Sequence, residues 1–583
     1  MELRELLELP RAVALDADDD SVLVGADFTG TLQLYRAAGR TLAQLTDEAE
    51  PVDGLLLPAG GVLVAKDSGG DEQHQLHRLG EQQTLEPLVV EDGVAHWTPR
   101  VSRDGSLLAY ACNRRNGRDF DVFVRDLASG VERCVFDRGG LAEVAGFSPG
   151  AARLALVRAG ELANDSELWL ADLRSGDVVE LFPHDEPAVI GEPAWLDDDR
   201  FVVAASVDRE SAALFREDGR VVLESEWDLG CVGDPTGRVL LVEANEDGYT
   251  RLELRDAETL ELRGEVPLPG RGVVETAHFS PDGVRLVFTF SSPVEPPNVW
   301  SYDLAAHELT RLTQIDAPPG LREPELDRFE SFDGLSVPLF LWEPDGHGPF
   351  PVVVMVHGGP EAQFRPGWLP SFTPLTQHLL ARGIAVAAPN VRGSTGYGKR
   401  YEHLDDVELR LDSVRDLAAL HGWLGKRPEL DGARIAIYGR SYGGYMVLAA
   451  LAFQPELWTA GVESVGISNL VSFLENTSPY RRAAREREYG RLDRDRDFLV
   501  RASPLTHVDA LRAPLFVQHG ANDPRVPLGE TEQIHRVLTE KGIRCELLVH
   551  EDEGHGIGKR ENRVDFFERA AAFLEEELSG SRT

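Results

Sequence analysis

The sequence predicts two domains: a seven-bladed β-propeller at residues 12–318, followed by an α/β domain with a mostly parallel sheet at residues 319–583. Three observations predict them. A strand repeat has a period in the forties, a proline-rich break lies near residue 318, and beyond it short apolar strands alternate with helix-length segments. With 583 residues, 42% hydrophobic and 27% charged, the chain is large enough for two such domains and is ordinary globular protein in composition.

Residues 1–11 are predicted to form a short N-terminal helix. The segment alternates charged residues with leucine, and Pro10 closes it. It lacks the apolar core of a secretory signal, and no apolar stretch in the chain approaches 18 residues. We therefore expect a cytoplasmic protein that does not bind membranes.

The propeller prediction rests on repeated pairs of strands. Three pairs are plain: VSRDGSLLAY with DVFVRDL, FSPGAARLALV with ELWLADL, and FSPDGVRLVFTF with NVWSYDL. Including weaker copies, the outer strands centre near Leu34, Leu76, Val124, Leu170, Phe215, Leu254 and Ser301. Steps of 39 to 48 residues with Asp-Gly turns are what four-stranded blades require. Six or eight blades are alternatives to seven, because the second and fifth copies are weak.

Four of the outer strands end in aspartate, at Asp126, Asp172, Asp256 and Asp303. A carboxylate in this position accepts hydrogen bonds from the amides of the following turn. We expect a structural role for these residues.

The second domain begins beyond the linker of residues 312–325, which contains Pro318, Pro319 and Gly320. Five strands there are continuously apolar: PVVVMVHGG, IAVAAPN, RIAIYG, PLFVQHG and CELLVHE. Such strands are typical of a parallel sheet covered by helices on both faces. Arg560 to Gly580 is predicted to be an amphipathic helix.

Charge and cysteine content exclude several function classes. The net charge of −40 would repel nucleic-acid backbones and anionic lipids. The four cysteines show no CxxC spacing, so neither a zinc site nor a disulfide scaffold is indicated, although a Cys112–Cys134 bridge is left open. We expect no metal and no cofactor.

The strongest chemical motif is Gly439-Arg440-Ser441-Tyr442-Gly443-Gly444. It follows the predicted strand Arg434–Tyr438 and precedes an apolar helix. Strand, glycine-rich turn and helix in this order are the nucleophile elbow of an α/β-hydrolase, which exposes its serine above the sheet. Ser441 is therefore the predicted nucleophile, and a purely structural glycine turn is the alternative.

A serine hydroxyl needs an imidazole to take its proton and a carboxylate to orient that imidazole. In this topology both follow the serine, after later strands. Asp523 lies just past the strand Pro514–Gln518, and His555 lies in the glycine-flanked loop after the next strand. His357, His519 and His550 are the competing histidines, and we expect them to be packed or hydrogen-bonded.

The reaction also needs backbone amides that stabilise an oxyanion. Tyr442, the residue after the nucleophile, supplies one of them. Gly359 in His357-Gly358-Gly359-Pro360, after the strand Pro351–Val356, matches the position of the other. A plain Gly-Gly-Pro turn is the alternative.

Together these motifs, with Asn390-Val391-Arg392-Gly393-Ser394-Thr395-Gly396-Tyr397-Gly398, HGANDPRVP and EGHG, resemble the prolyl oligopeptidase family of serine peptidases over essentially the whole chain. Within it, HGGP, the chain length and the N-terminal helix are most like acylaminoacyl peptidases. The resemblance implies a triad of Ser441, Asp523 and His555, oxyanion amides at Gly359 and Tyr442, and a propeller that screens substrates over a cavity between the domains.

The resemblance also places Arg525 where it could bind a substrate carbonyl or carboxylate, with a salt bridge to a nearby carboxylate as an equal alternative. Dipeptidyl peptidases of the family hold a free substrate amine with paired glutamates, and no such pair is identifiable here. The pocket for the residue at the cleavage site is expected after Ser464, in the stretch that contains Ile467, Phe473, Tyr480 and Tyr489.

The leading hypothesis is a serine peptidase that releases an N-terminal, N-acylated residue from short peptides through an acyl-enzyme. An aminopeptidase or prolyl-type oligopeptidase of the same family, or a carboxylesterase or small-molecule amidase, are alternatives. A propeller scaffold that binds a protein is the alternative from another class. The expected partners are short peptides or small amides and esters, and a homodimer is left open.

Overall fold

The structure is a computed structural model and describes residues 2–579 apart from Arg40 and Ala59. Its first part contains seven antiparallel sheets of four strands each, and each sheet is built from strands consecutive in sequence. The predicted seven-bladed propeller is thereby confirmed.

The first four blades contain β1 (Ala12–Ala17), β2 (Val22–Ala26), β3 (Gln33–Ala38), β4 (Thr41–Gln44); β5 (Val52–Leu56), β6 (Val62–Lys66), β7 (Gln75–Leu79), β8 (Leu85–Val89); β9 (His96–Val101), β10 (Leu107–Cys112), β11 (Asp121–Asp126), β12 (Glu132–Phe136); and β13 (Ala142–Phe147), β14 (Arg153–Ala159), β15 (Ser166–Asp172), β16 (Val178–Leu181). The last three contain β17 (Ala194–Trp195), β18 (Phe201–Ala205), β19 (Ala213–Arg216), β20 (Val221–Leu223); β21 (Leu229–Gly233), β22 (Val239–Glu246), β23 (Tyr249–Asp256), β24 (Leu262–Glu265); and β25 (Val273–Phe279), β26 (Arg285–Ser292), β27 (Glu295–Asp303), β28 (Glu308–Arg311).

The strands predicted to be outer are the third strands of their blades. A fourth strand lies outside each one, and these strands are short and largely exposed, as in Glu308–Arg311, so their apolar signal is weak. The predicted aspartate turns are confirmed. Asp126 Oδ1 accepts from the Ser129 amide at 2.7 Å, and Asp303 Oδ1 accepts from the Ala306 amide at 2.7 Å.

The ring closes by packing between the first and last blades. The Ala14 amide donates to Thr289 Oγ1 at 2.8 Å, and Thr276 Oγ1 donates to the Ala14 carbonyl at 2.9 Å. Val24 of the first blade shares a buried cluster with Val287 of the last. Within the described residues no strand is exchanged between these two blades, so side-chain packing and a few hydrogen bonds join them.

The second part contains one eight-stranded sheet in the order β29-β30-β32-β31-β33-β34-β35-β36. Its strands are β29 (Glu325–Glu330), β30 (Ser336–Trp342), β31 (Phe350–Val356), β32 (Ala385–Pro389), β33 (Leu430–Arg440), β34 (Gly461–Ser464), β35 (Leu515–Gly520) and β36 (Cys545–His550). The last six pair in parallel, and β29 and β30 form an antiparallel edge. The α/β-hydrolase prediction is confirmed; β29, β30 and the short β34 are additions to it.

The helices are α1 (Leu3–Leu7), α2 (Thr373–Ala381), α3 (Lys399–Glu402), α4 (Arg410–Leu424), α5 (Tyr442–Phe453), α6 (Leu470–Asn476), α7 (Pro479–Tyr489), α8 (Arg496–Ala502), α9 (Gly529–Glu540) and α10 (Arg560–Leu578). They cover both faces of the sheet with two buried clusters. Helix α1 packs against α10, where Arg4 pairs with Glu568 at 2.6 Å. Among the described helices none is both long and apolar enough to cross a bilayer. Met1 and residues 580–583, at the ends of the predicted ranges, lie outside the described residues.

Candidate active site

Ser441 lies at a sharp turn between β33 and α5. Its backbone has φ 60° and ψ −120°, a conformation that costs energy for any residue with a side chain and marks functional turns. A Cβ on Gly439 would clash with the carbonyl of Gly443, and one on Gly443 would clash with the carbonyl of Val356. Glycine at these two positions lets the strand and the helix meet closely enough to form the turn.

The structure brings Ser441, His555 and Asp523 into one hydrogen-bonded chain. Ser441 Oγ donates to His555 Nε2 at 3.0 Å, and His555 Nδ1 donates to Asp523 Oδ2 at 2.7 Å. The other oxygen of Asp523 accepts from the amides of Arg525 at 2.8 Å and Val526 at 3.0 Å. Asp523 and His555 follow β35 and β36, and the carboxylate fixes the tautomer that leaves Nε2 free to accept a proton.

Burial and the neighbouring charges set the protonation states of His555 and Asp523. Burial lowers the pKa of His555 to about 4, although the Asp523 carboxylate opposes that shift. Burial, the largest single influence, would raise the pKa of Asp523, but the attraction of His555 and His519 and the hydrogen bonds to the carboxylate together outweigh it, so the pKa lies below its usual value. The resting site therefore holds a neutral imidazole beside an ionised carboxylate.

The competing histidines have other partners. His519 Nε2 donates to the Val526 carbonyl at 2.8 Å, and His519 Nδ1 lies 2.8 Å from Thr531 Oγ1. His357 Nε2 lies 2.8 Å from Ser394 Oγ, and His550 Nδ1 lies 3.2 Å from Gln518 Nε2. Within the described residues, His555 is the one imidazole that hydrogen-bonds Ser441.

The loop after β31 brings Gly358 and Gly359 against the serine. A Cβ on Gly358 would lie 3.5 Å from Ser441 Cβ, and Gly359 has φ 130°, a conformation that favours glycine. Among the described residues, neither the Gly359 amide nor the Tyr442 amide at the start of α5 has an acceptor. Both candidate oxyanion amides are thus unpaired beside Ser441.

Two arginines that the sequence did not single out hold this side of the site. Arg485 on α7 donates from Nη1 to the Gly359 carbonyl at 3.4 Å and to Glu361 Oε2 at 3.3 Å. Arg410, fully buried, pairs with Asp405 and Glu488. The contacts of Arg485 with Gly359 and of Arg410 with Glu488 join residues 126 and 78 positions apart in sequence, so no local motif could have revealed them.

The Asp405 carboxylate also anchors the residue after the serine. Tyr442 Oη donates to Asp405 Oδ2 at 3.0 Å and lies 2.9 Å from Ser413 Oγ. Asp405, Asp406 and Glu488 form the one group in the described part of the chain with the spacing of metal ligands. The Arg410 guanidinium pairs with two of these three carboxylates, Asp405 and Glu488, so the group forms an ion-pair network beside Tyr442.

Arg525 pairs with the propeller. Its Nε donates to Glu72 Oε1 at 2.5 Å, and Arg481 Nη2 donates to Glu72 Oε2 at 3.0 Å. Glu72 lies in the loop between β6 and β7, so the two guanidiniums share one carboxylate across the domain interface. The salt bridge left open by the sequence is therefore present.

The residues predicted for the cleavage-site pocket do not line one wall. Ile467, Phe473 and Tyr489 are buried in the core of the second domain. Tyr480 instead packs on the propeller, with its ring centroid 5.3 Å from that of Trp97. Helix α7, which carries Tyr480 and Arg485, thus contacts both the propeller and the Gly359 loop.

A cavity of about 510 Å³ lies between the domains beside His555. Its propeller wall includes Asp53 and Asp67, and its other wall includes Arg440, His555 and Phe567. His555 therefore borders a space of the size that small ligands occupy.

Comparisons with known proteins agree with this architecture. The sequence profile of the prolyl oligopeptidase family matches residues 370–581. Dipeptidyl aminopeptidase BIII of Pseudoxanthomonas mexicana is 30% identical over 572 residues, covering 89% of this chain and 79% of the relative. The acylamino-acid-releasing enzyme of Sus scrofa is 26% identical over 274 residues, covering 44% of this chain and 35% of the relative.

Solved structures share the whole fold. A puromycin-hydrolysing peptidase of Mycobacterium tuberculosis superposes with a TM-score of 0.86 at 23% identity, covering 99% of this chain and 96% of the other. A structure from a study of two prolyl endopeptidases superposes with a TM-score of 0.87 at 19% identity, covering 99% and 91%. The propeller, the hydrolase sheet and the relative matched along most of the chain together show that this protein belongs to the prolyl oligopeptidase family of serine peptidases.

Proposed function

We propose that this peptidase releases an N-terminal, N-acylated residue from short peptides, with Ser441 as nucleophile, His555 as general base and acid, and Asp523 as the orienting carboxylate. The hydrogen-bonded chain from Ser441 through His555 to Asp523 is the observation that carries the proposal. It supplies a nucleophile, a neutral base and a fixed tautomer at hydrogen-bond distance.

The reaction proceeds in two halves. Ser441 Oγ attacks the scissile carbonyl carbon while its proton passes to His555 Nε2; the C–N bond then breaks, and Nε2 returns the proton to the leaving amine. Water attacks the acyl-enzyme, gives a proton to His555, and frees the acid as Ser441 regains its hydrogen. The amides of Gly359 and Tyr442 stabilise the oxyanion in both halves, and one such donor contributes about 2.7–4 kcal/mol to acyl transfer.

The ion pairs of Glu72 favour a substrate with an acylated N-terminus over a substrate with a free N-terminus. A free ammonium would need a carboxylate, and Glu72 beside Arg525 is already bound by two guanidiniums. A neutral acyl group binds hydrogen-bond donors instead. Arg525 is such a donor when its guanidinium leaves Glu72 and binds the substrate carbonyl.

Release of residues from a free amino terminus is the second candidate. The relative named a dipeptidyl aminopeptidase matches 89% of this chain, propeller included, whereas the acylamino-acid-releasing relative matches 44%. Asp53 and Asp67 on the propeller wall are the carboxylates that a substrate amine could reach.

One substrate panel separates these candidates. Acetyl-aminoacyl, free aminoacyl, dipeptidyl and blocked prolyl anilides, with one simple ester, are compared by kcat/KM. We expect the acetyl-aminoacyl anilide to be cleaved best. Preference for the dipeptidyl anilide would select the second candidate, and hydrolysis of the ester alone would select a carboxylesterase.

Access through the propeller is tested with denatured casein. If the propeller screens substrates, peptides of a few residues are cleaved and casein is spared. Cutting of casein into large internal fragments at rates comparable with the anilides would reject release of single N-terminal residues.

A further inference from the structure

The cavity beside His555 contains an arginine that has no carboxylate partner. Arg440 directly precedes Ser441, and its Nη2 donates to the backbone carbonyl of His555. No carboxylate in the described part of the chain forms an ion pair with it, although the sequence holds 99 acidic residues against 59 basic ones. Burial lowers the pKa of Arg440, since a desolvated cation without a counter-ion is unfavourable.

Positive charge exceeds negative charge along the same wall. Arg11 and Arg563 also line the cavity, and the guanidiniums of both, with that of Arg560, lie within 4 Å of the single carboxylate of Asp27. The Arg563 guanidinium lies 3.2 Å from Asp27, and Arg11 Nε is buried without an acceptor. Three guanidiniums line this wall, those of Arg11, Arg440 and Arg563, and the one carboxylate that Arg11 and Arg563 share is also paired with Arg560 outside the cavity.

The remaining charged groups of the cavity are engaged elsewhere. Glu50 pairs with Lys559 at 3.3 Å, Glu72 with its two arginines, and Glu553 accepts from backbone amides. Asp53 and Asp67, across the cavity, accept from the amides of Gly54 and Glu72. The cavity is thus positive at the Arg440 wall and acidic at the propeller wall, which directs an anion to Arg440.

Arg440 lies on the side of Ser441 from which the leaving group departs. His555 gives its proton to the departing amine, so the leaving group lies on the imidazole side of Ser441. His555 and Arg440 line the same cavity, and the cavity is large enough for a leaving group of one or two residues, which span about 3.5 Å each.

We propose that Arg440 binds the free α-carboxylate of the leaving group, so that the preferred substrates are short peptides cleaved one or two residues before a free C-terminus. A carboxylate there would accept a forked pair of hydrogen bonds from the guanidinium and supply its missing counter-ion. This inference rests on the proposed function, since it requires His555 to serve the leaving group.

The test compares acetyl-Ala-Ala-Ala with a free C-terminal carboxylate, the same peptide as its C-terminal amide, and acetyl-Ala p-nitroanilide. In the wild type we expect kcat/KM for the free acid to exceed that for the amide about tenfold or more, as charge-assisted bonds imply. In Arg440→Gln that ratio should fall close to one. Arg569→Gln, which removes an arginine on the exposed face of α10, is the control and should retain the wild-type ratio.

Equal rates for acid and amide in the wild type would overturn the inference, as would a wild-type ratio in Arg440→Gln. If Arg440→Gln does not fold, inhibition of wild-type anilide hydrolysis by alanyl-alanine and its amide decides instead: stronger inhibition by the acid, weakened in Arg440→Lys, supports the carboxylate site, and equal inhibition rejects it. If the wild type hydrolyses none of the three substrates and a fluorophosphonate does not label Ser441, the proposed function itself is rejected.

Discussion

The two sides of Ser441 are built in different ways. On the imidazole side, His555 and Asp523 come from loops that follow the neighbouring parallel strands β36 and β35. On the oxyanion side, Gly359 is held by Arg485 of α7, and the same helix contacts the propeller through Tyr480 and Arg481. One side is thus built on strand ends, and its loops also contact the propeller through Asn522 and Arg525, whereas the other depends on the packing of a helix between two domains.

We expect the two sides of Ser441 to respond differently to changes at the domain interface. Strand ends of a parallel sheet meet at one edge, so the sheet itself brings Asp523 and His555 together. The oxyanion side joins helix α7, the Gly359 loop and the propeller, so changes at the domain interface should reach the reaction through that side. Substitutions on each side of Ser441 test this difference.

Ser441→Ala should show the largest effect. Removal of the nucleophile of such a triad costs about 10⁴- to 10⁶-fold in kcat, while the small, partly buried hydroxyl contributes little to packing. Anilide hydrolysis and fluorophosphonate labelling measure the loss, with circular dichroism as the folding control. Labelling of the variant at the wild-type rate would place the nucleophile elsewhere.

Asp523→Asn should cost somewhat less, about 10³- to 10⁴-fold in kcat, because an amide can present its NH₂ to His555 Nδ1 and stabilise the wrong tautomer. The imidazole side would then be broken with the Gly359 side intact. Asp552, exposed and paired with Lys559 at 2.7 Å, provides Asp552→Asn as the control. Activity retained in Asp523→Asn would mean that another carboxylate orients His555.

The imidazole side is also the side that the sequence predicted. Ser441, Asp523 and His555 each follow an apolar strand, and residues after parallel strands converge, so chain order and strand pattern sufficed to select them. The blades were predicted for a similar reason: each is one local repeat, although the short polar fourth strands left too weak a signal to be counted.

The oxyanion side was predicted only in its backbone. Gly359 and Tyr442 lie in local motifs, but Arg485, Arg410 and Glu488 act through contacts between segments more than 75 residues apart in sequence. From sequence alone, a charged residue in a helix is predicted to lie on the solvent-exposed face. Its burial becomes known only when the packing of the helix is known. The partner of Arg525 was missed likewise, because Glu72 belongs to the other domain.

Arg485→Ala should lower kcat about 10- to 100-fold with KM within a few-fold, because the Gly359 carbonyl loses its donor and the loop shifts by a fraction of an ångström. Arg485→Lys should recover part of kcat, which loss of general stability would not explain. Arg482→Ala on the same helix, where the guanidinium contacts the Glu475 carbonyl, is the control. A change in KM alone would show that Arg485 contacts substrate and does not position the loop.

The acid limb of kcat/KM should lie near pH 4. His555 must be neutral to accept the serine proton, and burial lowers its pKa to about 4, so activity persists on acidification until that range is reached. At pH 5 about 90% of the maximum should remain, against about 3% for an imidazole of pKa 6.5. Arg440 and Arg525 contribute to the lowering, so Arg525→Gln should move the limb to higher pH. A wild-type limb at pH 6 to 7 would mean that the imidazole is hydrated in solution.

Glu72→Gln should show the smallest effect and probe the link between the propeller and the oxyanion side. Glu72 competes with the substrate carbonyl for Arg525, so its neutral replacement should lower KM for acetyl-aminoacyl anilides two- to fivefold, a modest change because the Arg525 side chain is 43% exposed. The same change releases Arg481 on α7, so a fall in kcat would accompany it if α7 relays the propeller contact to Gly359. Glu258→Gln, which removes an exposed partner of Arg200, is the control. A raised KM with unchanged kcat would mean that Glu72 itself binds the substrate, and the free-amine candidate would then replace the acylated one.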